Sequence, residues 1–286
     1  MITSCSPGWV KYIEMNYPEL LPHLSTCKSP HQMFGALIKT YYAKKQGIDP
    51  KKIYVVSVMP CIAKKFERQR NEMQNDGLYD VDAVITTREL ARMIKQANIE
   101  FTKLEDTNFD APMGEATGAG AIFGTTGGVM EAALRNAQDT LTGENLEKID
   151  FDEVRGGEGV KKAKVNIAGN DIKVVAASGL ANAQVILEEI KQGKADYQFV
   201  EIMACPGGCV MGGGQPIKSS KTRREVDVRA LRANALYTID EKSVIRKSHE
   251  NPVVKKIYKD FLQKPGSHIA HELLHTKYQK REKYNI

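Results

Sequence analysis

Glu201-Ile202-Met203-Ala204-Cys205-Pro206-Gly207-Gly208-Cys209-Val210-Met211-Gly212-Gly213-Gly214-Gln215-Pro216 follows a strand-like run, Asp196-Tyr197-Gln198-Phe199-Val200. Its two cysteines stand four apart with Pro-Gly-Gly between them. That insert is not regular helix: Pro206 lacks an N–H and fixes its own backbone, and glycines permit turns that other residues resist. Glycines this dense beside thiols imply a backbone lying close against something bulky. Soft thiolates suit an iron–sulfur cluster, zinc or copper(I). The plainer alternative is a glycine-rich loop with two buried free cysteines, since free Cys is among the most buried residue types.

Working outward, Ile53-Tyr54-Val55-Val56-Ser57-Val58-Met59 is β-branched and nearly continuous. It reads as a strand buried on both faces, running directly into Pro60-Cys61-Ile62-Ala63-Lys64-Lys65-Phe66-Glu67. Asp82 to Thr86 is a second short strand, and Thr87 is expected to cap a helix over Leu90, Met93 and Ile94. Toward the amino end, Val10 to Tyr17 reads as a helix stopped by Pro18. Ser25 to Pro30 reads as a turn, and His31 to Lys45 as a helix with Met33, Leu37, Ile38 and Tyr41 on one face. Beyond the middle, Val129 to Ala137 is helical. Ala163 to Ile167 and Asp171 to Ala177 are strands joined by a turn at Gly169-Asn170. Ala181 to Gln192 is a helix and Tyr197 to Met203 a strand. Alternating strands and helices mark an α/β architecture with a parallel sheet and helices on both faces. Cys61 and Cys205 then fall at carboxyl ends of strands, where open α/β sheets bind ligands.

After Pro216 the character changes. Lys218 to Val228 is polar, Arg229 to Tyr237 is helical, Asp240 starts another short helix, and Pro252 to Leu262 forms a third. The division expected is a cofactor-binding unit over 1–217 and a helical tail over 218–286.

Composition bounds the reading. At 286 residues, 42% apolar and 27% charged, the chain is globular. No apolar run spans a bilayer and no signal peptide is visible. Five cysteines, an odd number, argue against a disulfide framework and for a reducing, cytoplasmic setting. The net charge of +6 is scattered, with no basic stripe interleaved with aromatics, which disfavours nucleic-acid binding.

Two other motifs carry less. Gly118-x-Gly120 has Phe123 where a dinucleotide loop needs glycine. His271-Glu272-x-x-His275 fits a zinc-protease pattern, but the eleven residues after it offer only Glu282 toward the third ligand a catalytic zinc needs.

Four cysteines therefore stand in Pro/Gly-flanked turns: Cys5, Cys61, Cys205 and Cys209; Cys27 has no partner motif. Thr3-Ser4-Cys5-Ser6-Pro7-Gly8-Trp9, Met59 to Glu67 and Glu201 to Pro216 occur in that order. Together they closely resemble the three signature motifs of the catalytic domain of iron-only (FeFe) hydrogenases. Gly118 to Leu134 is similar to that family too, and the tail through His268 to Tyr278 resembles its small-subunit segment. The resemblance implies two α/β lobes with an H-cluster between them: a 4Fe-4S cubane joined to a diiron unit carrying CO, cyanide and azadithiolate. It implies hydrogenase activity, the reversible reduction of protons to dihydrogen. Electrons would come from ferredoxin or from NAD(P)H-oxidising subunits, and maturation proteins would install the diiron unit.

By the same resemblance, Cys61, Cys205 and Cys209 would ligate the cubane, with Cys209 bridging to the diiron unit. Lys64 would hydrogen-bond a cyanide. Met59 and Met203 would form soft walls, Pro60 would shape the pocket, and Gly212 to Gly214 would let the loop pack against the cluster. Cys5, Ser25 and Glu67 match a proton path. Two departures stand out. Where the family commonly has two adjacent cysteines, this chain has Cys5-Ser6. Either Cys5 becomes the fourth ligand while Ser6 relays protons, or Ser6 binds iron, or that corner is altered. The chain also opens at the first motif, where the family has further sequence, so it is expected to be a fragment or one part of a split protein. The competing readings are a non-catalytic iron–sulfur protein of the hydrogenase-like assembly type, and a zinc hydrolase using His271, Glu272 and His275.

Overall fold

The computed structural model describes residues 1–145, 150–156 and 159–283. In chain order, α1 is Pro7–Asn16 and α2 is Pro30–Leu37, prolonged by a π turn at Ile38–Tyr42 and by α3, Ala43–Gln46. β1 is Val56–Met59, α4 Ala63–Glu67, β2 Gln74–Asn75, β3 Leu78–Tyr79, β4 Ala83–Thr86 and α5 Thr87–Gln96. α6 is Gly118–Ile122 and α7 Gly128–Thr142. β5 is Val160–Ile167, β6 Asn170–Ser178, α8 Leu180–Lys191 and β7 Phe199–Met203. The tail adds α9 Ser220–Glu225, α10 Val228–Lys242, α11 Pro252–Ile257 and α12 His268–Leu274.

The α/β class stands, in the form of two main sheets. β1 and β4 pair in parallel. β6 and β7 pair in parallel, while β5 and β6 form an antiparallel hairpin. The hairpin turns one residue earlier than expected, at Ala168-Gly169. Both residues take positive φ, as a two-residue turn between right-twisted strands requires. Residues 1–3 run beside β7: Thr3 donates its N–H to Val200 and Val200 donates to Met1, both at 2.9 Å. Trp9, Ile13, Val175, Ile186, Leu187 and Ile202 close the core over this sheet. Trp9 enters it without an orphaned donor because Nε1 reaches the Thr3 carbonyl at 2.9 Å.

β1 departs from expectation. Val56 and Val58 are 49% and 44% exposed. A two-stranded sheet with α4 and α5 packed against it has one covered face. Ser57 and Met59, on the alternate parity, turn inward. The helix after β4 is capped by Thr86, not Thr87: Glu89 donates its N–H to the Thr86 hydroxyl and returns its carboxylate to the Thr86 N–H.

The tail is woven into the body. α12 lays Leu273 and Leu274 against Met33, Leu37 and Tyr41, the face of α2 that sequence periodicity marks. Asp240 starts no helix. It lies inside α10, fully buried, and Arg135 of α7 grips it with hydrogen bonds at 2.8 Å from Nη1 and Nη2. The last described residues return to the start: Arg281 donates to the buried Glu14 of α1 at 2.6 Å, and the Tyr278 hydroxyl to the Ser25 carbonyl at 2.7 Å.

Candidate metal centre

Strand pairing decides which loops meet. Because residues 1–3 run parallel to β7, the chain leaving at Cys5 and the chain leaving at Ala204-Cys205 emerge at one sheet end. The Ser6 hydroxyl pins them together, accepting from the Ala204 N–H at 3.2 Å. From the other sheet β1 delivers Met59-Pro60-Cys61. Gly214 donates to the Pro60 carbonyl at 2.8 Å, and Gly214 accepts in turn from Arg88 at 3.2 Å. The glycines of this loop are dictated by protein backbone. A Cβ on Gly212 would stand 2.2 Å from the Pro60 carbonyl oxygen, and one on Gly214 would stand 3.0 Å from that of Met59. In the chain itself the close approach that Gly212 and Gly214 permit is made to the Met59-Pro60 turn. Gly208, at φ +94°, meets Gly124 to Thr126 in the same way.

The thiols act on one another. Burial pushes the Cys205 thiol up and its neighbour Cys61 adds to this, while the Gly213 N–H draws it back. Burial pushes Cys209 up to about 11, with Lys64 opposing and Cys61 and Cys205 reinforcing. Tetrahedral zinc would hold sulfurs about 3.8 Å apart, given Zn–S bonds of about 2.3 Å. Among the described residues only Glu131, Asp150 and Asp240 bring three candidate ligand atoms within 4.8 Å of one another. Those carboxylates are held by Arg135, Arg155 and Arg246. Among the described residues no three cysteine sulfurs lie within 4.8 Å of one another, so the thiols do not form a ready-made site for a single ion. His275 lies beyond the end of α12 in extended backbone, with Nδ1 2.7 Å from the Thr26 hydroxyl; its ring stands 4.2 Å from that of His271, but among the described residues no third ligand atom joins the pair.

Beside the thiols lies a buried polar cluster. Lys64 of α4 donates to the Cys5 carbonyl at 2.8 Å and to both Glu67 oxygens at 3.2 and 3.0 Å. Burial pushes the Glu67 carboxyl up, but Lys64, His31 and Ser29 together outweigh it and hold Glu67 down at about 2. Of the expected proton path Cys5, Ser25 and Glu67, the Ser25 hydroxyl accepts from the Cys27 N–H at 3.4 Å, while Ser29 donates to Glu67 at 2.7 Å. Ser29, His31 and Ser57 were missed; the available signal was Ser57, the one polar residue in the apolar run Val55 to Met59. Met203 is buried at the end of β7, and Met59 is half-buried at the end of β1 next to Pro60. Glu201, two residues before Met203, is fully buried and accepts from the Gly127 and Met130 N–H groups at 2.6 and 2.8 Å, capping α7.

Burial raises the Cys5 thiol to about 12, with Lys64 opposing and Cys209, Glu201 and Glu67 reinforcing. An acid whose folded pKa is raised keeps its proton up to higher pH when folded. Stability from this group is complete below its ordinary value near 9 and is lost as pH rises toward 12. In the metal-free chain, alkylation at pH 8 should therefore modify the exposed Cys27 first and Cys5 last, read by peptide mass spectrometry. Early labelling of Cys5 would contradict this placement.

Two sheets ending on one cysteine-and-glycine loop put this chain among α/β proteins with a soft, sulfur-lined pocket. The family model for the iron only hydrogenase large subunit, C-terminal domain, matches residues 1–213, and that for the iron hydrogenase small subunit matches 226–281. The chain belongs to the iron-only hydrogenase family. It is 52% identical over 98% of its length to iron hydrogenase 1 of Clostridium pasteurianum, covering 49% of that protein. It is 51% identical over 99% of its length to the NADP-reducing hydrogenase subunit HndD of Solidesulfovibrio fructosivorans, covering 48%. Protein NAR1 of Arabidopsis thaliana is 33% identical, over 97% of this chain and 61% of its own. Among solved structures, an apo variant of the FeFe hydrogenase HydA1 from Chlamydomonas reinhardtii superposes with a TM-score of 0.84 at 41% identity, over 99% of this chain and 77% of its own. The chain spans about half the length of the hydrogenase relatives it matches.

Proposed function

We propose that this chain is the cluster-holding part of an FeFe hydrogenase that interconverts protons and dihydrogen. The observation that carries the reading is the buried Lys64 ammonium, held by Glu67 and the Cys5 carbonyl beside the mutually interacting thiols of Cys61, Cys205 and Cys209. A cubane that only stores electrons needs no such polar company. Identity of 52% to an iron hydrogenase, against 33% to NAR1, supports the same side.

In this reading Cys61, Cys205 and Cys209 hold the 4Fe-4S part, and Cys209 also meets the diiron unit with its CO, cyanide and azadithiolate ligands. When bound, the H-cluster supplies the low-potential iron pair at which protons and electrons combine. The chain's own residues do the rest. Lys64 presents a fixed ammonium to an anionic ligand. Met59, Pro60 and Met203 exclude water. Cys5, beside Lys64 and Glu67, holds a proton at Sγ as the proton carrier. Ser6, whose hydroxyl accepts from the N–H of the residue before Cys205, then stands at the fourth corner. The 1–217 unit then carries the cofactor, and the 218–286 tail braces it.

The likeness to HndD favours NAD(P)H-oxidising subunits as electron partners over free ferredoxin, with maturation proteins acting on the chain in the cytoplasm. The open Val56–Val58 face fits coverage by polypeptide of the kind that fills the other half of the relatives. No described helix is long and apolar enough to cross a membrane. The second reading, a non-catalytic assembly protein, is favoured by Ser6 in the family's cysteine position.

Infrared spectroscopy of anaerobically matured chain, co-produced with maturation proteins, decides between them. Bands from metal-bound CO and cyanide are expected. Iron and sulfide without those bands would leave the assembly reading standing.

A further inference from the structure

Glu67 is met by three side chains at once. Ser29, just before α2, occupies the capping position of that helix yet makes no cap; its hydroxyl donates to Glu67 Oε2 at 2.7 Å instead. His31 of α2 places Nε2 2.6 Å from the same oxygen and Nδ1 2.9 Å from the Ser57 hydroxyl on β1. Lys64 comes from α4 on Glu67's own helix, one turn before it. The His31 side chain is only 6% exposed. Glu67, ionised, can only accept, so Nε2 must carry the hydrogen; Nδ1 of a neutral ring then accepts from Ser57. Every partner in this cluster has one role available to it, and the imidazole is the bridge between β1 and Glu67.

We infer that His31 is a positioning residue: it clamps Glu67 between β1 and α4 and thereby holds the Lys64 ammonium against the Cys5 carbonyl. The inference rests on the hydrogenase reading only for its catalytic consequence; the clamp itself belongs to the chain without its cofactor. Without the His31 N–H, Glu67 keeps Ser29 and Lys64 but loses its tie to β1. Lys64, which donates to Glu67 and to the Cys5 carbonyl, then follows Glu67. A histidine that merely filled space would leave Lys64 indifferent to its replacement.

The internal control is Lys28, also buried, which lines the same cavity as Glu67 but donates its ammonium to Asp80 at 2.7 Å. In the metal-free chain, lysine acylation read by mass spectrometry should rise about ten-fold at Lys64 in His31→Phe, the scale on which losing a supporting hydrogen-bond partner tells. Lys28 should stay at its parent rate. His31→Gln, which keeps an N–H for Glu67, should restore protection. Ser57→Ala frees the far side of the ring with little change in volume and should raise Lys64 labelling less than His31→Phe does, which keeps the test available if His31→Phe does not fold. In matured chain, the cyanide bands should shift in His31→Phe and return in His31→Gln. Unchanged Lys64 labelling in both His31→Phe and Ser57→Ala overturns the inference, as does a parallel rise at Lys28. Absence of infrared bands from the parent chain fails the hydrogenase reading alone, since the labelling arm needs no cofactor.

Discussion

Cys209→Ala, matured alongside the parent chain, should show no CO or cyanide bands and no hydrogen turnover above background. Cys209 is the residue through which, on the hydrogenase reading, the cubane and the diiron unit meet, so its loss removes both attachment and bridge. Its thiol sits among Cys61, Cys205 and Lys64 and is pushed to about 11 by burial in the metal-free chain. Metal binding must therefore displace a tightly held proton, and affinity should fall as pH falls. Cys27→Ala is the matched control: Cys27 is exposed and its replacement should leave bands and turnover at parental levels. Bands surviving in Cys209→Ala would remove Cys209 from the site.

Asp240→Ala should lower the free energy of unfolding by about 3–5 kcal/mol, the usual cost of deleting one partner of a buried ion pair. Asp240 and Arg135 are both fully buried; Arg135 donates to it twice at 2.8 Å, and Arg246 donates at 2.6 Å. Truncation leaves Arg135 with Glu131 at 2.6 Å and empties the seat beside Gly118, where even a Cβ would meet Asp240 Oδ1 at 2.1 Å. Replacing Arg135 and Asp240 together by Met and Leu should cost much less, because no uncompensated charge remains. Urea unfolding of the two variants measures the difference. Burial raises the Asp240 carboxyl, but Arg135 and Arg246 outweigh it and hold it below the usual range. Its contribution is thus complete above the ordinary Asp value and is lost as pH falls through the depressed one. Parental stability in Asp240→Ala would show that the clamp holds nothing.

Local sequence carried the strands and the sulfur loops well, because the relevant signals are short-range. β-branched runs marked β1 and β7, and proline and glycine around Cys61, Cys205 and Cys209 excluded helix. What escaped was set by distant partners. Asp240 looks like a helix start, since Asp favours that position; only Arg135, 105 residues away in sequence, makes it a helix interior. Val56 and Val58 look like core, and their exposure follows from how many strands join β1. The Glu67 cluster was half legible: Cys5 and Glu67 lay in recognisable motifs. Ser29, His31 and Ser57, though, meet Glu67 or its clamp only because the start of α2 lies against Ser57 and Glu67 in the fold.

The bond between Arg281 and Glu14 has a consequence for how the chain is made. Its ends are 267 residues apart, and synthesis at about 5–20 residues per second separates their emergence by on the order of tens of seconds. Through that interval α1 and the Ser25 turn exist without the segment that later joins them. Glu14 then has Arg70 but lacks Arg281, and Tyr278 has yet to reach Ser25. The side of the fold that carries α1 and the Ser25 turn is thus completed only when residues 278–281 have been made.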